Sequence, residues 1–134
     1  MIALDTSVVV AAFASWHEAH GRTVELLARA PRLPAHVVVE TYSVLTRLPP
    51  PHRAAPAIVD RFLSESFPGA PLSLPGSSQR ALVAVAARSG LSGGSIYDLL
   101  VAATVKRAKG TLMTRDRRAI RAYETVGVAF ELLS

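Results

Sequence analysis

Four carboxylates, Asp5, Glu40, Asp98 and Asp116, stand in positions suited to metal-assisted phosphate chemistry. Asp5 directly follows the apolar run Ile2-Ala3-Leu4, and Asp116 lies just past Thr111-Leu112-Met113-Thr114; both runs read as short buried strands of a parallel sheet. Glu40 and Asp98 lie near the starts of mostly apolar helices expected over 35–48 and from Ser95 to a stop at Gly110. In a parallel sheet, ligands bind beyond the carboxyl ends of the strands. Asp5 and Asp116 would converge there, with Glu40 and Asp98 beside them. Four carboxylates in one pocket repel and raise one another's pKa unless a cation neutralises them. Oxygen ligands without histidine or cysteine select Mg²⁺ or Mn²⁺ over zinc. Such an ion binds phosphate-bearing substrates and lowers the pKa of a bound water.

Taken singly, each acid has a plainer explanation. Asp5 can be a helix cap, and Glu40 can be an exposed residue favoured by the helix dipole. The joint pattern carries the weight: of only ten acids, these four occupy strand ends or early turns of apolar helices.

The elements that must position them alternate. The first strand is followed by a helix over 7–15, capped by Thr6 or Ser7, and then by a second over 17–30. Pro31 and Pro34 bracket an extended piece at Arg32-Leu33 before the Glu40 helix. Three prolines at 49–51 force a loop. Helices over 55–66 and 77–89 flank a short strand at Leu72-Ser73-Leu74, and beyond Asp116 a helix over 117–125 leads to a closing strand at 128–132. This alternation predicts an α/β fold with a parallel sheet covered by helices on both faces. At 134 residues, with no internal repeat or linker, the chain is expected to be one domain.

Composition narrows the function classes. No apolar run approaches the roughly 18 residues of a membrane span, and Met-Ile-Ala-Leu-Asp lacks the basic start of a signal peptide, so a cytoplasmic location is expected. Cysteine is absent, which removes disulfides, thiolate metal sites and cysteine nucleophiles. The net charge of +5 rests on thirteen arginines and two lysines. Arginine suits phosphate, which points to nucleic acid, although an arginine-favouring genome would give the same bias. Arg115, Arg117 and Arg118 flank the expected site and serve equally as phosphate binders or as a solvated helix face. His17 and His20, at i, i+3, lack the third ligand of a zinc pattern and read as a solvated helix start. The few aromatics, Trp16, Tyr42, Tyr97 and Tyr123 among them, form no recognisable stacking platform.

Four stretches also resemble, in order and spacing, the motifs of PIN-domain proteins, most closely the small toxins of VapBC toxin–antitoxin pairs. They are Asp-Thr-Ser-Val-Val-Val-Ala at 5–11, Glu40 followed by Ser-Val-Leu-Thr-Arg-Leu-Pro at 43–49, Ile-Tyr-Asp-Leu-Leu-Val-Ala-Ala-Thr at 96–104, and Leu-Met-Thr-Arg-Asp-Arg-Arg-Ala at 112–119. The resemblance implies a PIN-like α/β/α sandwich over 1–134 and a Mg²⁺- or Mn²⁺-dependent endoribonuclease leaving 5′-phosphate and 3′-hydroxyl ends. It further implies a cognate antitoxin whose C-terminal segment occupies the active-site groove, and a homodimer of the toxin. Asp5, Glu40, Asp98 and Asp116 match the family's acidic quartet, and Thr114 matches the hydroxyl residue that accompanies the last acid. Residues 49–95 carry no family motif, so the RNA target is not legible.

Two other enzyme classes fail on the residues. A haloacid-dehalogenase-type phosphatase needs a second acid where Ser7 stands, and a receiver domain needs an acidic pair before its first helix. The rival from another class is a non-catalytic module with a PIN-like fold that binds RNA or protein. The apolar helices at 7–15 and 35–48 lead us to expect a surface that pairs with an antitoxin or a second copy.

Overall fold

A computed structural model describes residues 1–134. Strands β1 (Ile2–Leu4), β2 (Thr111–Thr114) and β3 (Ala129–Leu132) form one parallel sheet in that order. The apolar side chains of β1 and β2 are almost wholly buried, as strands with both faces covered should be, whereas β3 is half-exposed along the edge. Leu4 lies opposite Met113, and the ladder runs one residue further, with Asp5 N–H donating to the Met113 carbonyl at 3.1 Å. That register sets Asp5 beside the end of β2.

Beyond β1 the sheet continues only as single bridges, Ala3 with Arg32 and Pro34 with Leu72. The strand expected at Leu72-Ser73-Leu74 is therefore reduced to Leu72. Its N–H reaches the Leu33 carbonyl and its carbonyl accepts from Ala35 N–H, both at 2.8 Å. Pro71 and Pro75 on either side have no N–H to extend a ladder.

Seven helices flank the sheet: α1 (Thr6–Phe13), α2 (His20–Val24), α3 (Ala35–Thr46), α4 (Pro56–Ser66), α5 (Gly76–Ser89), α6 (Ser95–Arg107) and α7 (Ile120–Val126). Short 3-10 turns follow α2 at Glu25–Arg29 and precede α7 at Arg117–Ala119. Helices α1 and α6 pack on β2, and α3 packs against both α1 and α6, which carries Glu40 to the mouth of the sheet. One contiguous apolar core joins β1, β2, α1, α3, α5, α6 and α7. No helix is long and apolar enough to cross a membrane.

Several local expectations are corrected. Asp5 itself, rather than Thr6 or Ser7, caps α1, its carboxylate accepting from Val8 N–H. Ser95 does not cap α6, which begins after Gly94 with no side-chain cap. The single helix over 17–30 does not form: His17 Nδ1 accepts from Ala19 N–H at 3.0 Å in a separate turn, and the helix starts at His20, whose Nδ1 donates to the Ala11 carbonyl at 3.0 Å. Helix α6 stops at Arg107, the left-handed turn falls on Lys109 (φ 59°), and Gly110 leaves room for Met1, whose side chain would lie 2.8 Å from a Cβ there.

Candidate active site

Asp5, Glu40, Asp98 and Asp116 line one small pocket at the carboxyl edge of the sheet, together with Thr6, Ser7, Tyr97 and Tyr123. The chain reaches this point from four separate segments, and each acid arrives by a different route. Asp5 ends β1. Asp116 follows β2 by two residues and caps the turn after it, its Oδ1 accepting from Arg118 N–H at 3.0 Å. Asp98 lies in the first turn of α6 and Glu40 in the second turn of α3.

Asp5 is only 4% exposed, and its carboxylate is surrounded by donors. Ser7 Oγ donates to Oδ1 at 2.5 Å and Val8 N–H to the same atom at 3.3 Å, while Tyr123 Oη donates to Oδ2 at 2.9 Å. Ser7 Oγ in turn accepts from Arg115 N–H at 2.9 Å, so one hydroxyl ties the end of β2 to the acid at the end of β1. Burial pushes the Asp5 carboxyl above its ordinary range, and the hydroxyls of Ser7, Thr114 and Tyr123 and the Val8 N–H oppose that by favouring its ionised form. Burial likewise raises the Tyr123 phenol, helped by the Asp5 charge, so Tyr123 keeps its proton and serves as a hydrogen-bond donor to Asp5. Thr114 is fully buried, and its Oγ1 accepts from Asp116 N–H at 3.0 Å.

On the helix side the arrangement is looser. No hydrogen-bond donor is aimed at Asp98, whose pKa is raised to about 6, by desolvation first and then by the charges of Asp116, Glu40 and Asp5, with His36 pulling the other way. Glu40 is half-exposed, and its Oε2 meets His36 Nε2 at 3.1 Å one helical turn away. The pocket thus brings all four acids around one space, but no three of them close on a single point as a finished ligand set.

The three arginines separate. Arg115 is held against the body of the protein, its guanidinium 3.5 Å from His17 Nε2 and 3.6 Å from Glu18. Arg117 and Arg118 stand in solvent. Sequence reasoning did not find Ser7, Tyr123 or His36. Ser7 and His36 carry local signals, a hydroxyl two residues after an acid and an i, i+4 pair with Glu40. Tyr123 reaches Asp5 from 118 residues away, and nothing in its neighbourhood announces it.

Comparison with known proteins identifies the family of the chain. The family model described as the PIN domain matches residues 2–125. The chain is 49% identical over 134 residues to Ribonuclease VapC40 of Mycobacterium tuberculosis, covering all of both chains, and 42% identical over 128 residues to Ribonuclease VapC27 of the same organism, covering 95% of this chain and 93% of that one. Among solved structures it resembles VapBC2 from Rickettsia felis, bound to a promoter DNA fragment, with a TM-score of 0.69 at 18% identity over all of both chains. FitAcB from Neisseria gonorrhoeae gives 0.68 at 23% identity, covering 97% and 96% of the two chains. The match to the PIN-domain model over most of the chain and the full-length identity to VapC40 show that the chain belongs to the PIN-domain family, in its VapC branch.

Proposed function

We propose that this protein is the toxin of a type II toxin–antitoxin pair, a single PIN domain over residues 1–134 that cuts RNA as a divalent-metal-dependent endoribonuclease in the cytoplasm. The observation that carries this reading is the convergence of Asp5, Glu40, Asp98 and Asp116 on one pocket at the carboxyl edge of the sheet. The donor set fits a hard cation: apart from Val101, every lining side chain carries a carboxylate or hydroxyl, and a space of about 40 Å³ suits a monatomic ion rather than an organic cofactor. Asp5 and Asp98 would hold Mg²⁺ or Mn²⁺, with Asp116 and Glu40 completing the shell directly or through water. When bound, the ion supplies charge neutralisation for the phosphodiester and a lowered pKa for the attacking water.

The chain's own residues do the rest. Ser7, Val8 N–H and Tyr123 fix the Asp5 carboxylate in one orientation, so that little rearrangement is needed on binding. Thr114 fixes the backbone turn that presents Asp116. Arg117 and Arg118 are free to meet phosphates of the RNA.

A partner is part of the reading. Val38, Val39 and Tyr42 of α3 and Pro56, Ala57 and Leu63 of α4 line an open, largely apolar groove of about 460 Å³. Its exposed valine and tyrosine suit the apolar face of an antitoxin segment. Pairing with a second copy is also proposed; light scattering that shows a monomer for the purified chain would remove it.

The open spacing of the carboxylates favours one alternative, a non-catalytic RNA- or protein-binding module. The deciding experiment is incubation of antitoxin-free protein with total cellular RNA, with Mg²⁺, with chelator, and with Asp98→Asn and Asp5→Asn as controls. We expect a few discrete cuts, lost with chelator and in both variants while RNA binding persists. Absence of any cut by protein shown to bind Mn²⁺ would favour the binding module.

A further inference from the structure

Beside the acid pocket lies a second hollow that the metal chemistry does not use. It holds about 150 Å³ between α5 and α6, walled by Leu82, Ile96, Leu100 and the ring of Tyr97, with Gln79 at its edge. Tyr97 precedes Asp98 and lines both spaces, so the hollow adjoins the acid pocket across this one residue. Tyr97 is 52% exposed, although Leu99 two residues on is fully buried and Ile96 and Leu100 pack against the core. Nor is it loose: it stacks on the His36 imidazole at 5.0 Å with the planes 5° from parallel, and His36 is held in turn by Glu40.

An aromatic ring that is braced on a neighbour yet open to solvent is a prepared stacking surface. We propose that the hollow beside Tyr97 is a nucleobase subsite, which takes an unpaired base flanking the phosphodiester that lies at the acids.

The proposal rests on the ribonuclease reading and adds the means by which one base is recognised. Apolar walls would reject a phosphate but accept the flat face of a base, and every base offers such a face. Gln79 supplies the polar element. Its Nε2–H donates to the Leu74 carbonyl at 2.9 Å, which leaves its carboxamide oxygen to accept from an N–H of a base. Sequence-specific RNA recognition generally works this way, with a splayed base stacked on an aromatic side chain and read along its edge. Asp98 and the ring that would receive the base are neighbours on α6, so a single element sets their spacing.

The test uses a synthetic single-stranded oligoribonucleotide spanning the cut mapped in cellular RNA, and two versions with an abasic ribose on either side of the cut. Tyr97→Ala is expected to raise KM on the order of tenfold to a hundredfold, the range set by one lost base–aromatic stack, with kcat and Mn²⁺ affinity unchanged. Tyr97→Phe, which keeps the ring, is expected to stay within about twofold of the parent, because stacking does not need the hydroxyl. One of the two abasic substrates should lose the same factor with the parent protein and lose nothing more with Tyr97→Ala. Unchanged KM in Tyr97→Ala would overturn the subsite, as would equal losses on the intact and abasic substrates. So would normal RNA cleavage combined with weakened antitoxin binding, which would assign the hollow to a peptide. If the parent protein binds Mn²⁺ and cuts no RNA, the ribonuclease reading falls and the subsite with it.

Discussion

The two sides of the acid pocket handle the same functional group in opposite ways. On the sheet side, Asp5 is buried and its charge is met by hydroxyls and a backbone N–H, all in place within the folded chain. On the helix side, Asp98 is desolvated by burial, has no donor and faces three other acids, which together raise its pKa to about 6. A carboxylate at a strand end inherits the regular backbone around it and the side chains that cross over the sheet. Around Asp98 the N–H groups of Ser95, Ile96 and Tyr97 are already taken by the carbonyls of Ser92, Gly93 and Gly94, so that carboxylate depends on what comes from outside. The sheet side is therefore the fixed half of the site, and the helix side is the half that the proposed cation would complete.

The strongest way to break this contrast is Tyr123→Phe. The substitution keeps the ring, its edge contact with Phe130 and the core packing, and removes only the donor to Asp5 Oδ2. We expect Mn²⁺ affinity to fall by about 10- to 100-fold, the usual cost of losing a partner that orients a metal ligand. Stability should fall by about 1–3 kcal/mol, because Oδ2 stays buried without a donor. The matching change on the helix side, His36→Ala, takes a partner from half-exposed Glu40, which water can replace, and should cost metal affinity far less. Calorimetric titration of both variants decides it; equal losses would mean that the two sides are organised alike.

The contrast also explains what could be read in the sequence. All four acids were legible because strand ends and helix starts are written locally, in apolar runs and turn residues. The parallel sheet followed from the alternation of elements. What escaped was made by residues far apart in the chain: the Tyr123 bond to Asp5, the Ser7 bridge from Arg115 to Asp5, and the stacking of His36 on Tyr97. Local propensity misled where another group took over the backbone partners. At residue 72 two prolines starve a would-be strand of donors, and at α1 the functional acid serves as its own helix cap. Asp5 thus fulfils the plain expectation of a cap while lining the acid pocket, one oxygen capping the helix and both accepting the hydroxyls that orient it.

A second, smaller effect sharpens the comparison through pH. The Asp98 carboxyl titrates higher in the folded chain than its ordinary value of 3.8, at about 6, so the folded state holds the proton more tightly than the unfolded one. Its favourable contribution is complete below pH 3.8 and is lost as pH rises through about 6. Metal-free protein should lose stability between pH 4 and about 6.5. In Asp98→Asn this slope should flatten, and in Asp116→Asn, which removes the largest of the like charges, the Asp98 midpoint should move down. Urea unfolding across that range measures the first, and carboxyl-carbon NMR titration the second. A slope identical in Asp98→Asn would show that the helix side carries no such strain.

The smallest effects concern the arginines, and they divide along the same line. Arg115 belongs to the fixed half: its N–H holds Ser7 and its guanidinium packs against His17 and Glu18. Arg117 and Arg118 extend into solvent just beyond Asp116, and the 3.9 Å approach of Arg118 to Asp116 is too exposed to hold it there. Arg117→Ala and Arg118→Ala should therefore weaken RNA binding evenly across sequences, each lowering the dependence of log affinity on log salt by roughly 0.7 for a single strand. Arg115→Ala should leave that slope alone and show its effect in thermal unfolding. Binding measured across a salt series separates the two kinds of arginine. A lowered slope in Arg115→Ala would place that side chain on the RNA instead, which would require its contacts with His17 and Glu18 to open when substrate arrives.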